Sequence, residues 1–305
     1  MQTECLVRSE GESAVLDVKV RFLHLLAREV RGPIADGGWR MADGSGDDEA
    51  LAAVSDAHFQ AVASLEIGDQ IFHTWQEASE REINIPVIDL SELGAQPRRQ
   101  AFSFPARREL EPLRDSDRQL IGVIVRQQQL IEGAIEVAAE RAGEQLHQIT
   151  VRILNLTPFA DVNGQSRDES LLRSLVSTHT ILSVGGDGEF ISLLDPPAEF
   201  REAAAKCQNV GTWPVLVGEE GTHDCLLSSP IILYDYPQIA PESAGELFDG
   251  TEIDEILTLR IMTLTDEEKR EMRGVDERAR RILERTETMP AEQLMKMHGA
   301  MKGKR

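Results

Sequence analysis

Ile131-Glu-Gly-Ala-Ile-Glu-Val-Ala-Ala-Glu140 and Leu146-His-Gln-Ile-Thr-Val-Arg-Ile-Leu-Asn-Leu156 are near-alternating runs separated by the turn-forming Ala142-Gly-Glu144. Successive side chains of a strand point to opposite faces. Ile131, Gly133, Ile135, Val137 and Ala139 therefore share one face of the first run. Ile149, Val151 and Ile153, with Leu146, supply the inner side of the second. The opposite face carries Glu132, Glu136, Glu140, Thr150 and Arg152. One apolar and one polar face predict an antiparallel hairpin packed on one side, as in a β-sandwich.

Outward from this hairpin the pattern holds. Upstream, Phe102, Leu120–Val125, Ile83–Leu90, Ile67–Phe72 and the apolar positions between Ala14 and Val30 read as strands. Pro86 cannot donate to a ladder and places its strand at an edge or beside a bulge. Gly32–Asp48 reads as a loop, and Glu49–Phe59 and Trp75–Glu82 as short helices. Downstream, strands are expected at Thr178–Val184, Glu189–Leu193, Trp213–Val217 and Cys225–Tyr234, with a helical Pro197–Cys207. Hairpin-linked strands without regular strand–helix alternation argue against a doubly wound parallel sheet.

After Pro241 the chemistry becomes helical. Thr251-Glu-Ile-Asp254 resembles a capping box and precedes Ile253, Ile256, Leu257 and Ile261 at helical spacing. Thr265-Asp-Glu-Glu268 repeats the capping signal. Val275, Ala279, Ile282 and Leu283 form a third stripe, and Pro290 opens a fourth helix with Leu294 and Met297. The expected fold is α+β, a mainly antiparallel β-sandwich-like body with a C-terminal array of short helices. It divides into a mixed region 1–100 that contributes strands to the main body or stands alone, a sandwich-like domain 101–240 and a helical arm 241–305.

The formal charge is -21, from 53 acidic and 32 basic side chains among 305 residues. Such a surface disfavours nucleic-acid phosphates and anionic lipid. No stretch approaches the roughly 20 apolar residues of a membrane span. The first residues lack the pattern of a secretory signal, so the expected location is the cytoplasm. Cys5, Cys207 and Cys225 are an odd, sparse set that indicates neither a disulfide framework nor a four-thiolate zinc site.

Three places invite chemistry. Gly185-Gly-Asp-Gly-Glu189 is similar to the GGDGT phosphate-binding turn of the NAD kinase and diacylglycerol kinase families, with Glu189 in place of threonine. That resemblance implies a nucleotide- or phosphate-binding enzyme using Gly185, Gly186, Asp187 and Gly188. The apolar run directly after it, Phe190 to Leu194, reads better as the second strand of a plain hairpin than as a phosphate-capping helix. Cys207, His223 and Cys225 offer soft ligands for zinc or nickel, hence a metal-delivery role, although cysteines are often simply buried. Ser177, Ser228, His179 and Asp224 contain the residue types of a hydrolase triad without a G-x-S-x-G elbow. Trp213 is expected in the core. No cofactor is indicated.

Leu227-Ser-Ser-Pro-Ile-Ile-Leu-Tyr-Asp-Tyr-Pro-Gln-Ile-Ala-Pro-Glu-Ser243, Leu247–Arg260, Val176–Leu182 and Gly211–Gly218 together resemble an uncharacterised bacterial family associated with gene clusters for actinobacterial-type uptake nickel–iron hydrogenases. The resemblance covers most of the chain and carries no catalytic residues. It implies a non-catalytic accessory or assembly role, with a hydrogenase subunit or maturation factor as protein partner. The partner-binding candidates are Tyr234 and Tyr236, which precede the arm, and Ile256, Leu257 and Met297 within it.

Overall fold

The structure, a computed structural model, describes residues 1–10, 14–34, 57–68, 70–94, 96–159, 164, 166–238, 258–275 and 277–290. Its strands are β1 (Gln2–Ser9), β2 (Val15–Pro33), β3 (Phe59–Val62), β4 (Ser64–Ile67), β5 (Gln70–His73), β6 (Trp75–Asp89), β7 (Arg98–Phe104) and β8 (Arg107–Arg114). They continue with β9 (Leu120–Gln128), β10 (Ile131–Arg141), β11 (Leu146–Asn155), β12 (Val176–Gly185), β13 (Gly188–Ile191), β14 (Trp213–Leu216) and β15 (Cys225–Ser229). The fold is α+β: antiparallel strands dominate, and the longer helices, Asp266–Val275 and Glu277–Thr288, come last.

The chain forms two compact units. One gathers Met1–Ala27, Gln76–Arg108 and Arg126–Pro237; the other gathers Arg28–Trp75, Glu109–Val125 and Gln238–Arg305. The grouping draws three separate stretches into each unit, where the sequence suggests a serial division.

The first unit is the sandwich. One sheet runs β13-β1-β11-β10-β7; the other contains β14-β15-β12-β2, with β6 paired to β2. The expected hairpin is observed, and its register sets Ile135 opposite Ile153, Val137 opposite Val151 and Ala139 opposite Ile149. These side chains meet Leu16, Val18, Val20, Leu182 and Leu226 of the facing sheet in one buried cluster. Gly133 is required by close approach. A Cβ there would lie 2.2 Å from the Phe102 ring and 2.5 Å from the Leu154 carbonyl oxygen.

β1 is buried on both faces, a consequence of its continuous Cys5-Leu-Val7 run. Cys5 and Val7 join the sandwich core. Leu6 packs outward with Leu146, Ile191, Phe200 and Cys207. Phe200 and Cys207 come from the expected helical stretch, seen as a 3-10 turn Ala198–Phe200 and a helix Arg201–Ala204.

In the second unit Val30–Pro33 pairs with β3, and β4 pairs with β5. Val30, Leu113 and Ile124 pack with Val62, Leu65, Ile67 and Phe72. The helix Asp266–Val275 begins with the anticipated capping box: the Glu268 amide donates to Thr265 Oγ1 at 3.2 Å, and the Thr265 amide donates to the Glu268 carboxylate at 2.7 Å. Leu283 is fully buried.

Several expectations are corrected. Trp75–Glu82 is not helical but the first half of β6, where pairing with β2 overrides helix-favouring Gln, Glu and Ala. Trp213 is 44% exposed on an end strand rather than in the core. The strand at Cys225 stops at Ser229, because Pro230 cannot continue the ladder. Gly185–Gly188 is not a hairpin loop: β12 and β13 lie in different sheets, so the turn is a corner of the sandwich. Of the expected loop Gly32–Asp48, Gly32 and Pro33 instead end β2, extended by pairing with β3, and residues 35–48 lie outside the described residues, as do most of Glu49–Phe59, the capping segment Thr251–Asp254, Ile256, Leu257, Leu294 and Met297.

Candidate protein-binding surface

The segment after β15 is held at both ends and open between them. Ser229 Oγ accepts from the Ile231 amide at 3.2 Å. Asp235 anchors the far end: its carboxylate accepts from Ser192 Oγ at 2.5 Å and from the Leu216 amide at 2.8 Å. The Tyr236 amide donates back to the Leu216 carbonyl at 2.7 Å, so the segment returns along β14 and partly closes the edge of its sheet. Tyr236 itself has φ 55°, and its hydroxyl donates to the Thr222 carbonyl at 2.7 Å. Burial pushes its phenol above the usual range.

Between these anchors Ile231, Ile232 and Tyr234 are 59%, 74% and 85% exposed. Trp213, the register partner of Ser229, is exposed alongside. Large side chains held in water by a fixed backbone lose little further freedom when a partner covers them. Tyr234 and Tyr236 therefore differ in role: the first faces solvent, the second fastens the loop. Ile231 and Ile232 themselves carry no signal of a site in the sequence, and Trp213, expected in the core, joins them at the surface. Pro230 was the available signal, since apolar residues beyond the end of a ladder need not be buried.

Beneath the loop lies a buried chain of hydroxyls. Ser228 Oγ is 2.7 Å from Thr3 Oγ1 and 2.6 Å from Thr212 Oγ1, and Thr212 donates to the Ser229 carbonyl at 3.1 Å. One proton order satisfies all of them: Thr3 to Ser228, Ser228 to Thr212, Thr212 to Ser229. Ser228 is thereby occupied in the interior. His179, the base of the paper triad, donates from Nδ1 to the Ser177 carbonyl at 2.8 Å.

The remaining candidates fall elsewhere. At the sandwich corner Gly186 has φ 74°, Ser9 Oγ donates to Asp187 at 3.2 Å, and Arg8 pairs with Glu189 at 2.5 Å. Gly185 ends β12 and Gly188 opens β13, so no helix N-terminus follows the turn. Cys207 Sγ donates to the Ala203 carbonyl at 3.8 Å, and burial with nearby Glu4 pushes its thiol up to about 11. Cys225 Sγ accepts from Ser183 Oγ at 3.7 Å, and His223 Nδ1 donates to the Phe190 carbonyl at 3.0 Å. Burial also raises the Cys5 thiol. Among the described residues no three His, Cys, Asp or Glu side chains gather as a metal site.

No protein-family model matches the chain, and no curated protein is significantly similar to it. Among the described residues no helix is long and apolar enough to cross a membrane.

Proposed function

We propose that this chain is an accessory protein that acts by binding a protein partner, and that the anchored loop Pro230–Asp235 is its contact surface. The observation that carries the reading is the pairing of fixed ends with exposed apolar side chains in one short segment. Scattered exposed apolar residues need no explanation, but a rigid cluster of them does. The same stretch carries the resemblance to the hydrogenase-associated family, so a hydrogenase subunit or maturation factor in the cytoplasm is the first partner to seek.

A photo-crosslinking amino acid at position 232 or 234, expressed in native cells, tests this. The expected result is one protein, a hydrogenase component, captured from both positions and not from a control at Glu109. Equal capture from all three positions would remove the reading; specific capture of an unrelated protein would keep the surface and discard the hydrogenase.

A further inference from the structure

Tyr236, which fastens the far end of the open loop, reaches with its hydroxyl to Thr222. Thr222 belongs to residues 217–224, the connection between β14 and β15. Its own contacts hold this connection in shape. The Thr222 amide and hydroxyl both donate to the Glu219 carbonyl, at 3.0 and 2.8 Å. His223 Nδ1 donates to the Phe190 carbonyl at 3.0 Å, and the Phe190 amide donates back to the His223 carbonyl at 2.7 Å.

The connection carries Glu219, Glu220 and Asp224, all exposed. Among the described residues none of the three has an ion-pair partner. They lie within electrostatic reach of the loop: after burial, the charges of Asp235, Glu220 and Asp224 are what raise the Tyr236 phenol, and no cation acts on it. A further acid stands at the same end. The amides of Leu194 and Asp195 donate to Ser192 Oγ at 3.1 and 3.0 Å, and that hydroxyl in turn donates to Asp235. Leu194 and Asp195 are both exposed.

The other end of the loop is uncharged. Asn209-Val-Gly-Thr-Trp-Pro214 and Ser229-Pro-Ile-Ile-Leu233 contain no ionisable side chain. Val210, Trp213, Ile231 and Ile232 are the exposed apolar residues there. The surface is therefore graded, apolar where the chain leaves β15 and acidic where it is fastened beside β14. A second copy of this chain, at -21, is repelled by such a surface.

We infer that the partner meets this surface with an apolar centre bordered on one side by lysine or arginine side chains, which face Glu219, Glu220 and Asp224. This rests on the reading of the loop as a protein-binding surface. Charges at the rim of an interface act on the rate and register of encounter, and buried apolar anchors act on its lifetime. The acidic end thus sets the orientation in which the partner arrives, and the loop retains it.

The test uses the full chain in native cells, with the photo-crosslinking amino acid at position 232 or, separately, at position 220. Both positions should capture one protein. The partner peptide joined to position 220 should contain lysine or arginine, and the one joined to position 232 should be apolar. The double variant Glu219→Lys, Glu220→Lys should lower capture from position 232 about tenfold. Glu80→Lys, Glu92→Lys makes an equal charge change on β6 and just after it, across β15, β12 and β2 from β14, and should leave capture unchanged. No loss in either double variant, an equal loss in both, a second copy of the chain as the captured protein, or an acidic partner peptide at position 220 would overturn the inference. Each of these leaves a contact at position 232 and so retains the loop. No capture from position 232 would remove the loop and the inference together.

Discussion

The carboxylate of Asp235 receives the Leu216 amide at 2.8 Å and thereby fixes the end of an otherwise open loop to the outermost strand of its sheet. Asparagine at 235 keeps one acceptor but presents an amide where Ser192 Oγ donates. Asp235→Asn should cost about 1–2 kcal/mol and raise amide exchange from residue 231 to residue 236 above that of β15. Unchanged exchange in that segment would mean that other contacts hold it.

Ile232→Asp and Tyr234→Asp remove apolar surface already in water, so thermal unfolding should move little, within about 0.5 kcal/mol. Partner capture should fall sharply in both. A large loss of stability would instead indicate that these side chains pack on the protein.

Gly133→Ala places a methyl group against the Phe102 ring and the Leu154 carbonyl. The backbone oxygen cannot swing aside as a side chain could. The substitution should destabilise the sandwich by about 2–3 kcal/mol, read as a lower denaturation midpoint at unchanged slope.

Ser228→Ala breaks the hydroxyl chain and leaves Thr3 Oγ1 without its acceptor. A loss of about 1–2 kcal/mol is expected. Adding Thr3→Val removes the stranded hydroxyl and should recover part of it, a non-additivity visible in a double-mutant cycle.

His24 is fully buried, with Nε2 donating to the Gln129 carbonyl at 3.0 Å. Burial first, and the neighbouring Arg81 second, hold its pKa below the ordinary 6.5. The unfolded chain therefore binds a proton more readily than the folded one. Stability should be fully present above about 6.5 and decline as pH falls below it. His147 is lowered in the same direction by burial and Arg141 and adds to the slope. His24→Gln keeps a donor for Gln129 and should flatten part of the decline; an identical pH profile would show that His24 does not drive it.

The sequence was most informative where one face meets the core and the other meets water. Ile135, Val137 and Ala139 of β10 and Ile149, Val151 and Ile153 of β11 could be assigned to the core face from residue spacing alone, whereas Leu146, expected beside them, faces outward with Leu6. β1 left no such mark, because its outer face mixes Gln2, Glu4 and Arg8 with Leu6, which is covered by the segment around Phe200. The first half of β6 was misread because partnership with β2, distant in sequence, outweighs local preference. For the same reason the Gly185–Gly188 corner imitated a hairpin: turn chemistry states that the chain reverses, not which neighbours receive the strands. Of the proposed surface, Tyr234 was legible as an aromatic near a proline. The anchoring by Asp235, Ser192 and Leu216 joins residues too far apart along the chain to be anticipated.

The route of β1 and β2 sets an order of events at birth. β1 finds its neighbours in β11 and β13, and β2 finds one of its own in β12. A ribosome delivers the first strands long before residue 191, so the two sheets cannot close during most of synthesis. Until then β1 has neither of its neighbours and β2 lacks β12, so the topology itself, rich in contacts between distant stretches, favours slow folding.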